Sequence, residues 1–386
     1  MPCDLKGWKH IIRNEIGKIF NFKEGRICHP NGDNYLGGKI IERELNTKDG
    51  NNCCWAFNPS QYVREATRSV EKQFQSRIEN GDRRFARTGL VNNAFLSTVS
   101  PLPKDYHPEL DMSDELSPTD AAYYQSLIGI LRWIVELGRV DIALECSLMS
   151  TCLALPREDH LRKVFQIFAY LKTKSNAELV FDPCQPDWWK DRDEMFPKKD
   201  WKGTPYPQNE DCLKEEIPEN APEPRGNGMI VSAFVDSDHA GCKVTRRSRT
   251  GFLVYLQCAL VYWFSKKQGS VETSTFGSEF IAMKQCTEYV RGLKYKLQMM
   301  GISCEGPCYI FGENQSLLNN SSNPDSRLNK KSNSIAYNFV REGVARDEWR
   351  CTYVESKKNQ SDLLTKVITD GPKRSRHVQK ILHWFK

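Results

Sequence analysis

The sequence predicts an α/β fold, in which a sheet covered by helices is preceded by a mainly helical region. Two observations support this prediction. From about residue 229 onward, short apolar runs typical of strands alternate with stretches of helical periodicity. Between residues 120 and 171, apolar side chains recur at the three- and four-residue spacing of amphipathic helices.

The first 119 residues predict few regular elements. Residues 35–41 have strand character with a glycine kink, and residues 46–52 have the polar composition of a turn. A helix is expected to start at Ser60, because apolar residues then recur at helical spacing as far as Phe74. Residues 97–120 are interrupted by proline and serine, so no long element is predicted there.

Residues 120–181 predict a helical unit with its own core. The strongest pattern covers residues 120–138, and residues 139–155 and 158–171 continue as two more helical stretches. The bulky side chains expected in this core are Trp133, Met149, Phe165, Phe168 and Tyr170.

Residues 182–228 predict a linker between two folded parts. This stretch carries eight of the nineteen prolines and few aliphatic residues. Three tryptophans within it, Trp188, Trp189 and Trp201, indicate that part of the linker contacts a folded neighbour.

Residues 229–386 predict the α/β domain. The predicted strands cover residues 230–237, 250–256, 260–264, 307–311 and 350–354. The predicted helices cover residues 275–300 and 332–346, and a further helix starts at residue 361. Three strands of antiparallel type followed by alternating helices and strands give a sheet with helices packed on it.

The charge of the chain is divided between its two parts. Residues 226–386 contain 24 Lys and Arg against 14 Asp and Glu, whereas residues 1–225 contain 31 against 35. A basic domain beside a mildly acidic region is typical of proteins that bind a phosphate backbone. A solvated basic face with no partner is the alternative.

The sequence contains no apolar run of membrane-spanning length and no apolar core of signal-peptide length near its start. We therefore expect an intracellular protein without a membrane partner, and the sequence does not distinguish cytoplasm from nucleus. In that setting the fourteen cysteines are expected to be free thiols, and their spacing does not favour a zinc site.

Four acidic residues are expected to meet at one point of the predicted domain. Asp236 and Glu313 each follow an apolar strand-like run, and Glu279 and Asp362 each lie near the start of a helical pattern. Carboxylates gathered in this way repel one another unless a hard dication joins them, so the arrangement predicts a magnesium site for phosphate chemistry. Taken singly, Glu279 also fits a helix N-terminus, and Asp236 or Asp238 fits a turn.

Basic residues fall in the loops around these acids. The candidates for nucleic-acid contact are Arg246, Arg247, Arg249, Lys266, Lys267, Lys330, Lys331 and Lys357. Acids at the centre of a cationic rim suit a polyanion whose scissile phosphate approaches metal ions.

The motifs that surround the acids resemble the ribonuclease H domain of copia-type retrotransposon Pol polyproteins. They are FVDSDHAG at 234–241, TRRSRTG at 245–251, WFSKKQ at 263–268, ETSTFGSEF at 272–280, GENQS at 312–316 and NQSDLLTK at 359–366. Upstream, the runs YLG at 35–37, YQSLIG at 124–129 and AYLK at 169–172 are similar to the stretch that follows the polymerase active site in that family. The resemblance covers the chain from about residue 35 onward.

This resemblance implies a ribonuclease H-like fold with a mixed five-stranded sheet. Such domains cut the RNA strand of an RNA–DNA hybrid with two Mg²⁺ ions, with Mn²⁺ as an alternative metal. Asp236, Glu279 and Asp362 match the family's acids, whereas Glu313 stands where the family has aspartate. The implied partners are an RNA–DNA hybrid or other nucleic acid and the remaining Pol components.

The resemblance also implies a division of the chain. Residues 1–119 are expected to be a remnant of the reverse transcriptase region after its active site, residues 120–181 the thumb or connection, 182–228 the linker and 229–386 the ribonuclease H-like domain. The chain has no Asp-Asp pair of a polymerase, so we expect an endonuclease of the ribonuclease H type and no reverse transcriptase activity.

Two alternatives to an active enzyme stay open. One is a catalytically inactive relic or a domesticated nucleic-acid-binding protein, because the extra methylene of Glu313 displaces its carboxylate by about 1.5 Å. The other is a scaffold protein that uses the helices of residues 120–172.

Overall fold

The computed structural model describes residues 31–47, 50–82, 98–206, 218–219, 221–224, 226–328, 333–369 and 371–385. Its strands are β1 (Asp33–Tyr35), β2 (Gly38–Thr47), β3 (Gly50–Asn58), β4 (Ala177–Phe181), β5 (Val231–Asp238), β6 (Arg249–Leu256), β7 (Ala259–Lys267), β8 (Cys308–Gly312), β9 (Trp349–Tyr353) and β10 (His383–Trp384).

Its α-helices are α1 (Ser60–Glu79), α2 (Pro118–Glu136), α3 (Ala143–Met149), α4 (Glu158–Thr173), α5 (Arg192–Met195), α6 (Thr275–Met299), α7 (Gln315–Ser322), α8 (Ser334–Ala345) and α9 (Gly371–Ile381). Short 3-10 helices cover Pro108–Leu110, Val140–Ile142, Ser150–Cys152, Asp187–Asp191 and Gln360–Leu364. Within the described residues, no helix combines the length and the apolar character needed to traverse a lipid bilayer.

The first sheet has the order β1-β2-β3-β4-β10 and is antiparallel throughout. Residues 35–41 do not form one kinked strand, because Leu36 (φ 50°) and Gly37 (φ 92°) make a tight turn between β1 and β2. The predicted turn at 46–52 is also shorter than expected, since β2 and β3 pair as far as Thr47 and Gly50.

The helical region follows the predicted periodicity with one interruption. The helix α1 begins at Ser60, as predicted, and Ser117 caps α2 by accepting a hydrogen bond from the backbone N–H of Asp120. Residues 139–155 do not form a single helical stretch. Gly138, with φ 96°, ends α2, and the chain then passes through a 3-10 turn, α3 and a second 3-10 turn.

The core under these helices includes the expected Met149, Phe165, Phe168 and Tyr170, all of which are buried. Trp133 is the exception, with 37% of its side chain exposed. It lies two positions beyond the buried Leu131, about 200° around the helix, and therefore off the apolar stripe.

The second sheet has the order β7-β6-β5-β8-β9. The pairs β5–β6 and β6–β7 are antiparallel, whereas β5–β8 and β8–β9 are parallel. This is the mixed five-stranded sheet that the family resemblance implies. The helices α6 and α8 cover one face and share a buried core with it, which includes Phe252, Phe280 and Trp349.

The segment after β4 lies against the other face of this sheet. The rings of Trp188 and Phe196 lie 4.9–5.4 Å, centroid to centroid, from those of Tyr309 and Phe311 on β8. The predicted linker is therefore packed up to residue 206, as its tryptophans indicated, and residues 207–217 lie outside the described residues. The three boundaries between the four predicted segments stay a prediction.

The end of the described chain returns to the first sheet. The strand β10 pairs with β4, with Trp384 opposite Ala177. The helix α9 buries Val378 and Ile381 in the core that contains α2 and α4, and this core also includes Leu253 and Leu260 of the second sheet. The two sheets thus share one hydrophobic core.

Candidate metal and nucleic-acid site

The predicted acids lie on four elements that converge beside the centre of the second sheet. Asp236 is on the central strand β5, and Glu313 directly follows β8, the parallel neighbour of β5. Glu279 is in the first turns of α6. Ser274 caps the N-terminus of this helix, because its side chain accepts a hydrogen bond from the backbone N–H of Gly277. Asp362 is in the 3-10 helix Gln360–Leu364.

Three of the four carboxylates form one cluster. Asp236, Glu279 and Glu313 each offer an oxygen, and these oxygens all lie within 4.8 Å of one another. Asp362 lies beside this group and is joined to it by Lys366, whose Nζ is 2.8 Å from Asp362 Oδ1 and 3.1 Å from Glu313 Oε1. The structure therefore brings the four predicted acids to one place.

Lys366 is the residue that the sequence analysis missed. Its Nζ also lies 3.2 Å from Asp236 Oδ2, so one ammonium group contacts three carboxylates. The available signal was its position four residues after Asp362 in a predicted helical segment, which places both side chains on one face. The neighbouring Thr365 hydroxyl donates a hydrogen bond to Asp236 and fixes its carboxylate.

Burial and mutual repulsion govern the charges of the cluster. Burial raises the pKa of Asp236 to about 8, and this shift is opposed by Lys366 and reinforced by Asp362 and Glu313. Burial, with Asp236 and Glu313, also raises the pKa of Glu279 well above its usual value. Burial acts against ionisation of Glu313 as well, but the Ser356 hydroxyl and Lys366 hold the pKa of this carboxyl below its usual value.

This donor set fits a hard divalent cation. The cluster offers only carboxylate oxygens, which Mg²⁺ and Mn²⁺ accept as ligands. Lys366 contacts Asp236 and Glu313, and its single positive charge does not balance the three carboxylates of the cluster. Asp238 serves the adjacent turn by accepting the backbone N–H of Arg249, and His239 is exposed outside the cluster.

Several predicted basic residues reach the surface near the acids. Arg246, Arg247, Lys266 and Lys357 are exposed, and Lys267 is partly buried. Arg247 and Lys267 line a cleft of about 300 Å³ together with Thr365 and Lys366, next to the acidic cluster. Lys330 and Lys331 lie outside the described residues.

Arg249 requires a correction as a nucleic-acid contact. Only 4% of the residue is exposed, and its Nη1 donates to Ser147 Oγ of α3 at 2.5 Å. As the first residue of β6, its side chain points toward the helical region rather than toward solvent. Its guanidinium therefore joins the two parts of the molecule and is not available at the surface.

The strand order and the buried acids together define a ribonuclease H-like domain. Comparison with known proteins finds relatives among retrovirus-related Pol polyproteins of transposons. The chain is 24% identical over 285 residues to that of transposon RE1 from Arabidopsis thaliana, covering 74% of this chain and 16% of the relative. It is 23% identical over 281 residues to that of transposon TNT 1-94 from Nicotiana tabacum, covering 71% of this chain and 18% of the relative.

A putative transposon Ty5-1 protein of Saccharomyces cerevisiae is 22% identical over 277 residues, covering 71% of this chain and 65% of the relative. No family model matches the chain. The relatives confirm the resemblance to copia-type retrotransposon Pol polyproteins. The chain spans less than a fifth of the length of the first two relatives.

Ribonuclease H domains are among the solved structures that show some similarity to this chain. The N-terminal RNase H domain of a Mycobacterium tuberculosis protein, solved as a fusion with maltose-binding protein, is 9% identical, with a TM-score of 0.29, over 39% of this chain and 98% of that chain. RNase H1 from Halobacterium salinarum is 16% identical, with a TM-score of 0.28, over 35% of this chain and 93% of that chain.

Proposed function

We propose that this chain is the ribonuclease H part of a retrotransposon Pol protein and that it hydrolyses the RNA strand of RNA–DNA hybrids with divalent metal ions. The observation that supports this most directly is the cluster of Asp236, Glu279 and Glu313, with oxygens within 4.8 Å. This cluster carries more negative charge than Lys366 alone compensates, and like charges held together destabilise a fold unless further cations bind to them.

The proposed metal ligands are Asp236, Glu279, Glu313 and Asp362. Two Mg²⁺ ions bound there supply Lewis acidity and positive charge for phosphodiester hydrolysis. Asp236 is held rigid by the Thr365 hydroxyl and by the pairing of β5 with β6. Asn359 fixes the neighbouring 3-10 helix by donating from Nδ2 to the carbonyl of Val235 at 3.1 Å.

The exposed cations hold the substrate in this proposal. Arg246, Arg247, Lys266 and Lys357 carry positive charge at the surface around the acids. Contacts of this kind bind the phosphate backbone and weaken as salt is added. A hybrid held by its backbone and 2′-hydroxyl groups is recognised by its shape rather than by its sequence.

The second candidate function is that of a catalytically inactive protein that binds nucleic acid. It is based on Glu313, which stands where the resembled family has aspartate. Both oxygens of this carboxylate have protein partners, since Oε1 accepts from Lys366 at 3.1 Å and Oε2 from Ser356 at 2.6 Å. The longer side chain nevertheless stays within the cluster, which favours the active enzyme.

The deciding experiment measures cleavage of a hybrid whose RNA strand carries a fluorescent label. We expect the purified chain to cleave it with Mg²⁺ and to stop when the metal is chelated. Asp236→Asn is expected to reduce the rate by at least about a hundredfold, because it removes a central ligand. Asp325→Asn, at an exposed aspartate outside the cluster, is the matched control and should retain the rate.

The same assay separates the two candidates. An unmodified chain that binds the hybrid without cutting it, together with a Glu313→Asp variant that cuts it, identifies an inactive relative with an intact fold. If neither protein cleaves or binds the hybrid, the proposed function is wrong.

A further inference from the structure

A second cleft, of about 380 Å³, lies between the C-terminal end of α4 and the helix α9, on the helical side of the molecule. We call it the α9 cleft. Its polar lining includes Lys174, Ser175, Arg374, Ser375 and Gln379, and Trp384 of β10 also lines it. None of the described residues that line this cleft carries a carboxylate.

The cleft is electropositive. Lys174 is exposed and forms no ion pair with any described residue. Arg374 also lines the cleft, but its guanidinium is buried and paired with Glu145 Oε1 at 3.1 Å. Arg64 of α1 brings a second exposed cation to the rim, where its Nη1 donates to Asn176 Oδ1 at 2.7 Å. Cations, hydroxyl groups and amides without a nearby acid are suited to the oxygens of a phosphate group.

The helix α9 connects the acidic cluster to this cleft. Near its start, Lys373 Nζ lies 3.2 Å from Asp362 Oδ2. Further along the helix, Arg374 and Gln379 line the cleft, on the side of α9 that faces away from Lys373 and from the exposed Arg376 and Lys380. The rise of an α-helix places Gln379 roughly 9 Å along the axis from Lys373.

Trp384 adds a surface for base stacking. Its side chain is 38% exposed where it borders the cleft. An indole can stack on a nucleic-acid base only if that base is unpaired, which favours a single strand over a duplex at this position.

We propose that the α9 cleft binds the backbone of a single strand that extends beyond the hybrid, with a base stacked on Trp384. This inference rests on the proposed function, because the strand enters the cleft as the continuation of a hybrid held at the acids. The helix α9 leads from the cluster to the cleft, because it carries Lys373 beside Asp362 and Gln379 in the lining of the cleft.

The test compares two ligands by fluorescence polarisation in buffer without divalent metal, so that no cleavage occurs. One ligand is a blunt RNA–DNA hybrid, and the other is the same hybrid with a single-stranded overhang of about ten nucleotides. We expect the overhang to increase affinity at least about fivefold, the effect of one stacked base with its phosphate contacts.

Charge variants locate the effect. Lys174→Glu and Gln379→Glu, both at exposed side chains, are expected to remove most of the advantage of the overhang and to leave the affinity for the blunt hybrid unchanged. Lys174→Glu is also expected to lower the salt dependence of overhang binding by about one unit of slope. Lys72→Glu, at an exposed lysine of α1 outside the cleft, is the matched control.

The outcomes separate the two proposals. If the blunt hybrid binds and the overhang gives no advantage, or if the advantage survives both charge variants, the α9 cleft is not the binding site and the proposed function is untouched. If neither ligand binds, the proposed function fails and this inference fails with it. Thermal unfolding of each variant shows that the fold is retained.

Discussion

Asp236 holds a proton in the folded, metal-free protein at a pH where an unfolded chain has already released it. Burial raises its pKa to about 8, against about 3.9 in an unfolded chain. Below about pH 4 the Asp236 carboxyl is protonated in both the folded and the unfolded protein. Between about pH 4 and pH 8 it ionises only in the unfolded protein, and this ionisation stabilises the unfolded state. The contribution of this group to the free energy of unfolding therefore falls as the pH rises from about 4 to about 8.

We expect the thermal midpoint, measured in a chelating buffer, to decrease between pH 5 and pH 8 in the unmodified protein. Asp236→Asn should reduce this decrease and raise the midpoint at pH 8 by about 3 °C or more, because it removes the buried charge. Glu279 is shifted in the same direction, so part of the slope will remain. An Asp236→Asn protein with the unmodified pH profile would contradict the prediction.

At this scale the sequence predicted which acids converge but not which cations reach them. Asp236 and Glu313 were found because each follows an apolar strand, and parallel neighbours bring their ends together. Arg249 was misplaced although alternation along β6 puts it on the same face as the buried Leu253 and Tyr255. Its positive charge was taken as a surface feature, whereas the strand pattern already indicated the interior.

The packing of α8 requires a glycine at position 343. It lies in α8, and a Cβ added there would come 1.9 Å from the ring of the fully buried Trp349. Gly292, in α6, has no atom within 4 Å of the corresponding position. The same substitution should therefore have opposite effects at the two sites.

We expect Gly343→Ala to lower the free energy of unfolding by about 2 kcal/mol or more, because the ring must move. Gly292→Ala should raise it by about 0.5–1 kcal/mol, since alanine restricts the unfolded chain more and favours the helix. Urea denaturation measures both changes. Equal effects at the two positions would show that Trp349 does not lie against α8 as described.

Element prediction succeeded where apolar periodicity was strong and failed where polar residues are buried. The strands and the long helix of the second sheet lie within one residue of their predicted bounds, except that β7 extends three residues further, to Lys267. The helix α9 was not predicted. Its buried face includes Arg374 and His377, so apolar residues do not recur along it at helical spacing. The strand β10 has two residues, too few for alternation to show.

Arg374 joins α9 to α3 of the helical region, which is more than 200 residues earlier in the sequence. Its Nη1 donates to Glu145 Oε1 of α3 at 3.1 Å, and its Nη2 donates to the carbonyl of Asp141. Both side chains of this ion pair are almost completely buried. Loss of one partner therefore leaves an uncompensated charge in the interior.

We expect Arg374→Met to lower the free energy of unfolding by about 3 kcal/mol or more in urea denaturation. Addition of Glu145→Gln should recover part of the loss, because the double variant removes the unpaired charge. Arg376→Met, at an exposed arginine of the same helix, serves as the control and should change stability by less than about 0.5 kcal/mol. Similar losses in the two single variants would contradict a buried link at Arg374.

The sequence did not predict that the two sheets share one core. Periodicity shows which face of an element is apolar, but not which distant element covers it. Leu253 and Leu260 of the second sheet were expected inside a separate domain, yet they contact the core formed by α2 and α4. The charge division was visible because it depends on composition alone.

The pairing of β10 with β4 has a consequence for synthesis on the ribosome. The strand β4 ends at residue 181, and its edge partner is made about 200 residues later. At 5–20 residues per second, the ribosome takes roughly 10–40 s to reach β10 after β4 has emerged. During that interval the nascent first sheet carries an open edge, which is a template for pairing with other chains until β10 covers it.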